Sequence, residues 1–319
     1  MIGIVYHCFL VNNWKEIVSR QLLRLKESGL YDAADIIYTT VICTEEQIDE
    51  FNELLQDYNK IQTEFSSDNC YEYLGIKKVK ELGDTYNIKI LYFHTKGVSN
   101  KYITYNGKEY SAEKENNIKA WTECLEYFLI DKWEESLEKL NEFDNVGVTC
   151  NSGWYWGNFW WTQSKHITQC GSVERSGSRW YYEGWLNGFN SAKCFEWYSF
   201  SYNPYVSGIP EGWYKNPDKY KGAKIILHNA RYGASPFEID EGYSCLPLNI
   251  TADVTDNVKA ILEECNNEFI SVYASNALVK DDPTFGYKKF LFLTFSLDVD
   301  PEEIYNIGTH EGMHLNLKF

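Results

Sequence analysis

The residues best suited to chemistry are His94-Thr95-Lys96-Gly97, which close the apolar run beginning at Asn87. A buried-strand pattern that ends this abruptly reads as a strand entering the core of an α/β sheet. Open α/β sheets bind ligands at the carboxyl ends of their strands. This tip delivers an imidazole, a hydroxyl, an ammonium and a glycine that lets a backbone or ligand come close. The group suits a phosphorylated, anionic ligand. The plainer reading is a surface loop that happens to carry His and Lys.

Two further runs carry chemistry. In Arg179-Trp-Tyr-Tyr-Glu183-Gly-Trp185 a carboxylate stands among aromatic rings, where desolvation raises its pKa and suits it to accept a proton. A helix-surface Glu is the bland alternative. In Gly157-Asn-Phe-Trp-Trp161, a strand would turn Asn158 and Trp160 to one face and Phe159 and Trp161 to the other. One face would then line a sugar pocket while the other packs into the core; an ordinary hydrophobic strand is the alternative. The sequence His310-Glu311-Gly-Met-His314 matches the zinc-peptidase pattern His-Glu-x-x-His. That pattern needs a helix to bring both rings to one face. Here it contains a glycine and runs into an alternating segment, so it reads as strand.

The elements that must position these groups follow from periodicity. Strands are expected over Ile2–Leu10 and Asp35–Cys43, and helices over Trp14–Ser28 (stopped by Gly29), Glu45–Tyr58 and Tyr71–Leu82. A polar, Tyr-rich loop over 98–112 leads to a long helical stretch, Glu113–Phe143, of one helix or two, and a short strand, Asn145–Cys150. Strands alternating with helices imply βαβ units and a mostly parallel, Rossmann-like sheet with helices on both faces. Prolines 204, 210 and 217 and nearby glycines mark a linker-like stretch, so one domain is expected over 1–222 and a small β-rich domain over 223–319. In the latter, strands are expected at Lys224–His228, Phe269–Tyr273, Phe290–Leu297 and His314–Phe319, with one helix at Val254–Glu264.

Composition narrows the partners. The formal net charge is −16, half of it in residues 223–319, which argues against nucleic acid and anionic membrane surfaces. No apolar run is long enough to span a bilayer, and the N-terminus reads as a first strand, not a signal peptide. Nine scattered cysteines, none in a Cys-x-x-Cys pair, suggest reduced thiols and a cytoplasmic location. Aromatic residues make up 17 % of the chain. Trp154, Trp156, Trp160, Trp161, Trp180 and Trp185 crowd among glycines and polar residues, which reads as the wall of a binding site, since sugar C–H groups stack on such rings.

His94-Thr-Lys-Gly97, the helix bearing Trp121, Gly157-Asn-Phe-Trp-Trp161 and Arg179…Glu183-Gly-Trp185 together resemble small glycosyltransferases of the GT-A type, found in bacterial polysaccharide clusters and large DNA viruses. Tyr6-His7 and the Ser28-Gly29-Leu30-Tyr31 turn are similar to that group as well, and the resemblance covers about residues 1–200. It implies a GT-A-like fold and transfer of a hexose or pentose from a nucleotide-diphosphate sugar to a glycan or protein hydroxyl, with inversion. Implied donor-binding residues are Tyr6, His7 and Thr40 around the base, Tyr71 and Glu72 at the ribose, and His94, Thr95 and Lys96 at the diphosphate. Asn158, Trp160, Arg179 and Trp185 would hold sugars, with Glu183 as base and His94 and Lys96 completing the catalytic set. Most GT-A enzymes place a metal-binding Asp-x-Asp at the strand end where this chain has His94-Thr95-Lys96. No metal ligands are assigned, dependence on Mn²⁺ or Mg²⁺ stays open, and Lys96 is a candidate to offset the diphosphate's charge. The competing reading is a non-catalytic glycan-binding protein on the same fold. The C-terminal part, with Asn229-Ala-Arg-Tyr-Gly233 and Glu311-Gly312, loosely resembles a β-domain of unknown function appended to some J-domain proteins, which implies no activity.

Overall fold

A computed structural model describes residues 1–98, 104–105, 108–109, 111–151, 154–187, 192–234, 250–286 and 289–319. The chain forms two compact units, one of residues 1–99 and 125–199, the other of 100–124 and 200–319. Residues 200–222, grouped with the first domain from the sequence, thus pack in the second unit. The loop expected over 98–112 lies largely outside the described residues.

The first unit is built on a seven-stranded sheet. Its first four strands are β1 (Ile2–Phe9), β2 (Ile36–Ile42), β3 (Ile61–Ser66) and β4 (Lys89–His94), ordered β4-β1-β2-β3 and all parallel. Beyond β4 lie Trp160–Gln163, antiparallel to both of its neighbours, then Asn145–Gly147, and Cys194–Glu196 at the edge. The expected mostly parallel α/β sheet is present. β1 is buried along almost its whole length, as a parallel strand covered on both faces must be.

Helix α1 (Trp14–Glu27) covers one face of the sheet. Trp14, Val18, Leu22 and Leu25 recur at helical spacing and are buried. It ends as expected: Gly29 adopts φ 77° and its N–H bonds the Lys26 carbonyl, a left-handed C-terminal cap. After the short α2 (Leu30–Ala33) and α3 (Glu46–Leu54), α4 (Tyr73–Thr85) lies on the opposite face. Gly75 sets how close α4 comes, because a Cβ there would sit 2.9 Å from the Tyr92 ring and 3.0 Å from His7 Cβ.

The long stretch 113–143 takes the two-helix form, Ser111–Glu126 and Trp133–Lys139, joined by a π-helical turn, Tyr127–Asp131. The chain differs from the sequence expectation in two places of the first unit. β3, an edge strand with Gln, Thr and Glu in its middle, has too little apolar periodicity to be seen. Gly157 (φ 92°) and Asn158 (φ 54°) form a turn, so strand structure starts only at Trp160.

Beneath the α1 face, the fully buried Glu126 carboxylate is bound by Arg20, by Arg24 at 3.0 Å and by Gln21 Nε2 at 2.8 Å. Arg24 also holds Asp131 at 2.6 Å, so one arginine spans both ends of the π turn. A buried anion with this many donors is costly to disturb in one step, because removing either sign strands the other.

The second unit contains an antiparallel sheet ordered Ile250–Asp253, Ile225–Ala234, Phe290–Leu297, Asp300–His310, and a separate pair, Phe269–Tyr273 with His314–Lys318. Helix Thr255–Glu264 lies close to its expected place. His310 ends one strand, Gly312 (φ 85°) turns the chain and His314 starts the next. The His-Glu-x-x-His sequence is therefore strand, turn and strand. Glu311 accepts a 2.7 Å hydrogen bond from the Tyr232 hydroxyl. No helix among the described residues is long and apolar enough to cross a membrane.

The buried ionic cluster gives a direct test. Glu126→Ala should lower unfolding free energy by about 3 kcal/mol, because the arginines lose their acceptor in a largely desolvated place. Urea denaturation of the variant beside the parent chain measures this; coincident curves would mean that the cluster contributes nothing.

Candidate active site at the carboxyl edge of the sheet

Strand register builds the site. In the parallel pairs, His7 of β1 stands level with Thr40 of β2 on one side and with His94 of β4 on the other. Level residues of adjacent strands point to the same face, so three polar side chains line up across the strand ends on the α4 side. His7 Nδ1 lies 2.8 Å from Thr40 Oγ1. Tyr92, two residues before His94, shares the same face and stacks on Trp160 with ring centroids 4.9 Å apart.

Glu72 closes the row from above. It stands at the N-terminus of α4, and its carbonyl accepts the Ile76 N–H. Glu72 Oε2 accepts 2.6 Å hydrogen bonds from both the Tyr92 hydroxyl and Asn158 Nδ2. Asn158 Oδ1 in turn accepts from Trp160 Nε1 at 2.7 Å. Glu72 Oε1 lies 4.0 Å from His94 Nε2, which also contacts the Gly157 carbonyl at 3.0 Å. A carbonyl only accepts, so His94 carries its hydrogen on Nε2.

The backbone at the site enters the left-handed region at two non-glycine positions. Tyr71 and Asn158 hold φ of 53° and 54° beside Gly157 and Gly97 at 92° and 88°. A bulky residue such as Tyr71 enters this region only when its surroundings impose it. The Tyr71 backbone hydrogen-bonds His7, and its ring remains 44 % exposed.

Electrostatics ties the row to the Arg179–Glu183 helix. The Glu183 carboxyl is held above its ordinary pKa, first by burial and then by the Glu72 charge, against the opposing pull of Lys96 and Arg179. Burial pushes His94 down, and Lys96 adds to that while Glu72 resists it. His7 falls to about 4, because burial outweighs the attraction of Glu72. Both imidazoles are therefore neutral near pH 7. Arg179 reaches Glu183 at 3.8 Å, and its guanidinium lies 4.4 Å from the centre of the Trp180 ring. Trp180 is 55 % exposed and meets Trp154 edge to face.

The structure thus brings together His7, Thr40, Tyr71, Glu72, His94, Lys96, Asn158, Arg179 and Glu183. Three residues assigned from the sequence stand elsewhere. Tyr6 points to the α1 face, stacks on Phe93 and donates its hydroxyl to Gln21 at 2.6 Å. The Thr95 hydroxyl is occupied by the Phe9 N–H at 2.9 Å. Trp185 packs in the core and donates Nε1–H to the Gly171 carbonyl. Trp160 shares that core and reaches the site through Asn158 and through its stack on Tyr92. Half of the expected aromatic wall, Trp160, Trp161 and Trp185, is core, while Trp154 and Trp156 are half-buried and Trp180 is exposed. Tyr92 and Gly75 were missed by sequence reasoning; the two-residue period back from His94 was the available signal for Tyr92. Among the described residues, no cluster of three or more His, Cys, Asp or Glu is placed to hold a metal ion. No model of a known protein family matches the chain, and no curated protein matches it.

His7 gives the site a pH signature. Unfolded, it takes a proton near pH 6.5; folded, only near 4. The stability linked to neutral His7 is complete above pH 6.5 and drains away as pH falls towards 4, by up to about 3 kcal/mol. His94, lowered in the same sense, adds to the loss. Urea midpoints between pH 7.5 and 4.5 should fall less steeply for His7→Gln than for the parent chain; parallel profiles would show that His7 titrates normally.

Proposed function

We propose that this chain is a glycosyltransferase of GT-A type that moves a sugar from a nucleotide-diphosphate donor to an acceptor hydroxyl with inversion. The observation that carries the reading is the electrostatic meeting of Glu183, Lys96 and Glu72 at the carboxyl ends of parallel strands, with the Glu183 carboxyl raised by burial. A base needs a pKa lifted towards working pH, and a departing diphosphate needs a cation close by.

The roles follow from the geometry. Glu183 accepts the proton of the acceptor hydroxyl as that oxygen bonds the anomeric carbon. The bond from that carbon to the diphosphate breaks in the same step, through a cation-like state. Lys96 offsets charge on the departing diphosphate. Neutral His94, its Nε2–H spent on Gly157, presents Nδ1 as an acceptor to a donor-sugar hydroxyl or phosphate-bound water. Tyr71 and Glu72 flank the nucleoside at the ribose. His7 and Thr40, enclosed beneath them, act by holding the Tyr71 backbone. Asn158 orients Glu72, and Arg179 with Trp180 borders the acceptor side. By the resemblance to GT-A enzymes, Lys96 falls where most of them carry an acidic metal motif, and no step here passes through a metal ion.

One observation favours a second reading. The Trp154–Trp180 pair, half-buried at Trp154, exposed at Trp180 and flanked by Arg179, is also what a glycan-binding protein without turnover would present. Incubation with a panel of nucleotide sugars, with and without Mn²⁺ or Mg²⁺, separates the two by release of nucleotide diphosphate. Binding of a donor or glycan with no release under any condition would leave only the binding reading.

Two variants test the assigned roles. Lys96→Ala should lower turnover by about 10²–10³-fold, the loss of roughly 2.7–4 kcal/mol expected for one well-placed group, without altering the melting temperature much. Glu183→Gln should abolish transfer while donor affinity, measured by titration calorimetry, stays near the parent value. Should Glu183→Gln instead lose donor affinity and melting temperature together, Glu183 is a structural partner of Arg179 and the base lies elsewhere.

A further inference from the structure

At the far edge of the same sheet, two cysteines that the reaction above does not use come together. Cys150 lies in a short hairpin, level with Tyr155 of the returning strand. Cys194 opens the edge strand Cys194–Glu196, level with Asn145. The sequence separates them by more than forty residues, yet the Cys150 thiol hydrogen-bonds the Cys194 sulfur. Both side chains are half-buried against the core around Tyr155. The hairpin and the edge strand are fastened on either side of the pair. The Cys150 N–H donates to the Glu196 carboxylate, and the Tyr155 hydroxyl donates to the Phe195 carbonyl at 3.0 Å.

We propose that Cys150 and Cys194 form a redox-active dithiol in which Cys194 is the attacking sulfur and Cys150 the resolving one. The partner class is a low-molecular-weight disulfide such as glutathione disulfide. Cys194, as thiolate, attacks one glutathione sulfur; the S–S bond breaks and one glutathione leaves as thiolate, taking up the proton that Cys194 gave to water. Cys150 then attacks Cys194 Sγ, forms the protein disulfide and releases the second glutathione, with the Cys150 proton balancing that charge. Two protein thiols are oxidised and one small disulfide is reduced to two thiols.

The assignment of the two roles rests on the environment of each sulfur. Cys194 is drawn down to about 7, chiefly by the hydrogen bond from Cys150 and with help from Tyr155 and Asn145, against burial and the nearby Asp144 charge. A thiol with a pKa near ambient pH combines thiolate fraction with nucleophilicity. Cys170, by contrast, is pushed up to about 11 and Cys8 higher still, both by burial, so neither competes.

The test uses the full chain, folded, exposed to increasing ratios of oxidised to reduced glutathione, then trapped by alkylation and mapped by mass spectrometry without reduction. The expected product is a cross-linked peptide pair containing Cys150 and Cys194, lighter by two hydrogen atoms and carrying no glutathione. Cys150→Ser should stop with glutathione on Cys194, and Cys194→Ser should leave Cys150 no more reactive than Cys70 or Cys265. The proposal is overturned if Cys150 and Cys194 stay thiols while Cys70 or Cys265 is modified, or if glutathione remains on Cys194 of the parent chain without cross-linking. Should a serine variant fail to fold by circular dichroism, the peptide map of the parent chain decides alone.

Discussion

The carboxylate of Glu72 is the group around which the first unit's site is organised. It sits at the head of α4 and gathers donors from β4 and from the turn before Trp160, which no local rule connects. A carboxylate this enclosed must find partners or give up its charge. Tyr92 and Asn158 answer one oxygen, and the other faces His94. Remove that charge and several features lose their reason: the orientation of Asn158, the opposing pull on His94, and part of the lift on Glu183. Gly75 makes the arrangement reachable, since α4 approaches β1 and β4 more closely than any side chain at that position would allow.

The two faces of the sheet solve different problems. On the α4 face, polar groups are gathered and left incompletely neutralised, with imidazoles kept uncharged by burial. On the α1 face, Glu126 is surrounded by Arg20, Arg24 and Gln21, and Gln21 also accepts the Tyr6 hydroxyl. One set is arranged so that its charges respond to what arrives; the other is closed upon itself. Tyr6 and His7, adjacent in sequence, fall to opposite sides of this division because strand side chains alternate. A reading that treated them as one motif was bound to place one of them wrongly.

The sequence makes visible whatever is local and periodic. β1, β2 and β4, α1 with its Gly29 stop, and Phe269–Tyr273 and Phe290–Leu297 in the second unit follow from spacing of apolar residues. What escaped has physical causes. β3 and Asp300–His310 lie at the ends of their sheets, so half of each strand faces water and carries Glu, Gln or Asp. At Gly157-Asn158 an apolar alternation begins two residues before the backbone can extend, because the turn imposes left-handed φ. In the site, His94, Lys96 and Glu183 could be selected by residue type and context. The centrality of Glu72 could not, since it depends on a contact with Asn158 made across 86 residues of chain.

Thr95 shows what such a fold does to the order of events at the site. Its hydroxyl and its N–H are both tied to β1, to the Phe9 N–H and the His7 carbonyl. The residue between the two proposed phosphate-facing groups therefore acts as a rivet, and the segment carrying His94 and Lys96 is fixed to the neighbouring strand at its centre. A binding partner meets these groups at their final spacing, with no loop-ordering entropy left to lose at this point. The speed of encounter is then governed by diffusion and by the charge the partner carries into a strongly acidic molecule, where Lys96 supplies local attraction against a long-range repulsion. For an anion, arrival should depend on dissolved salt in the sense opposite to that of most anion-binding proteins: added salt screens the repulsion and eases approach.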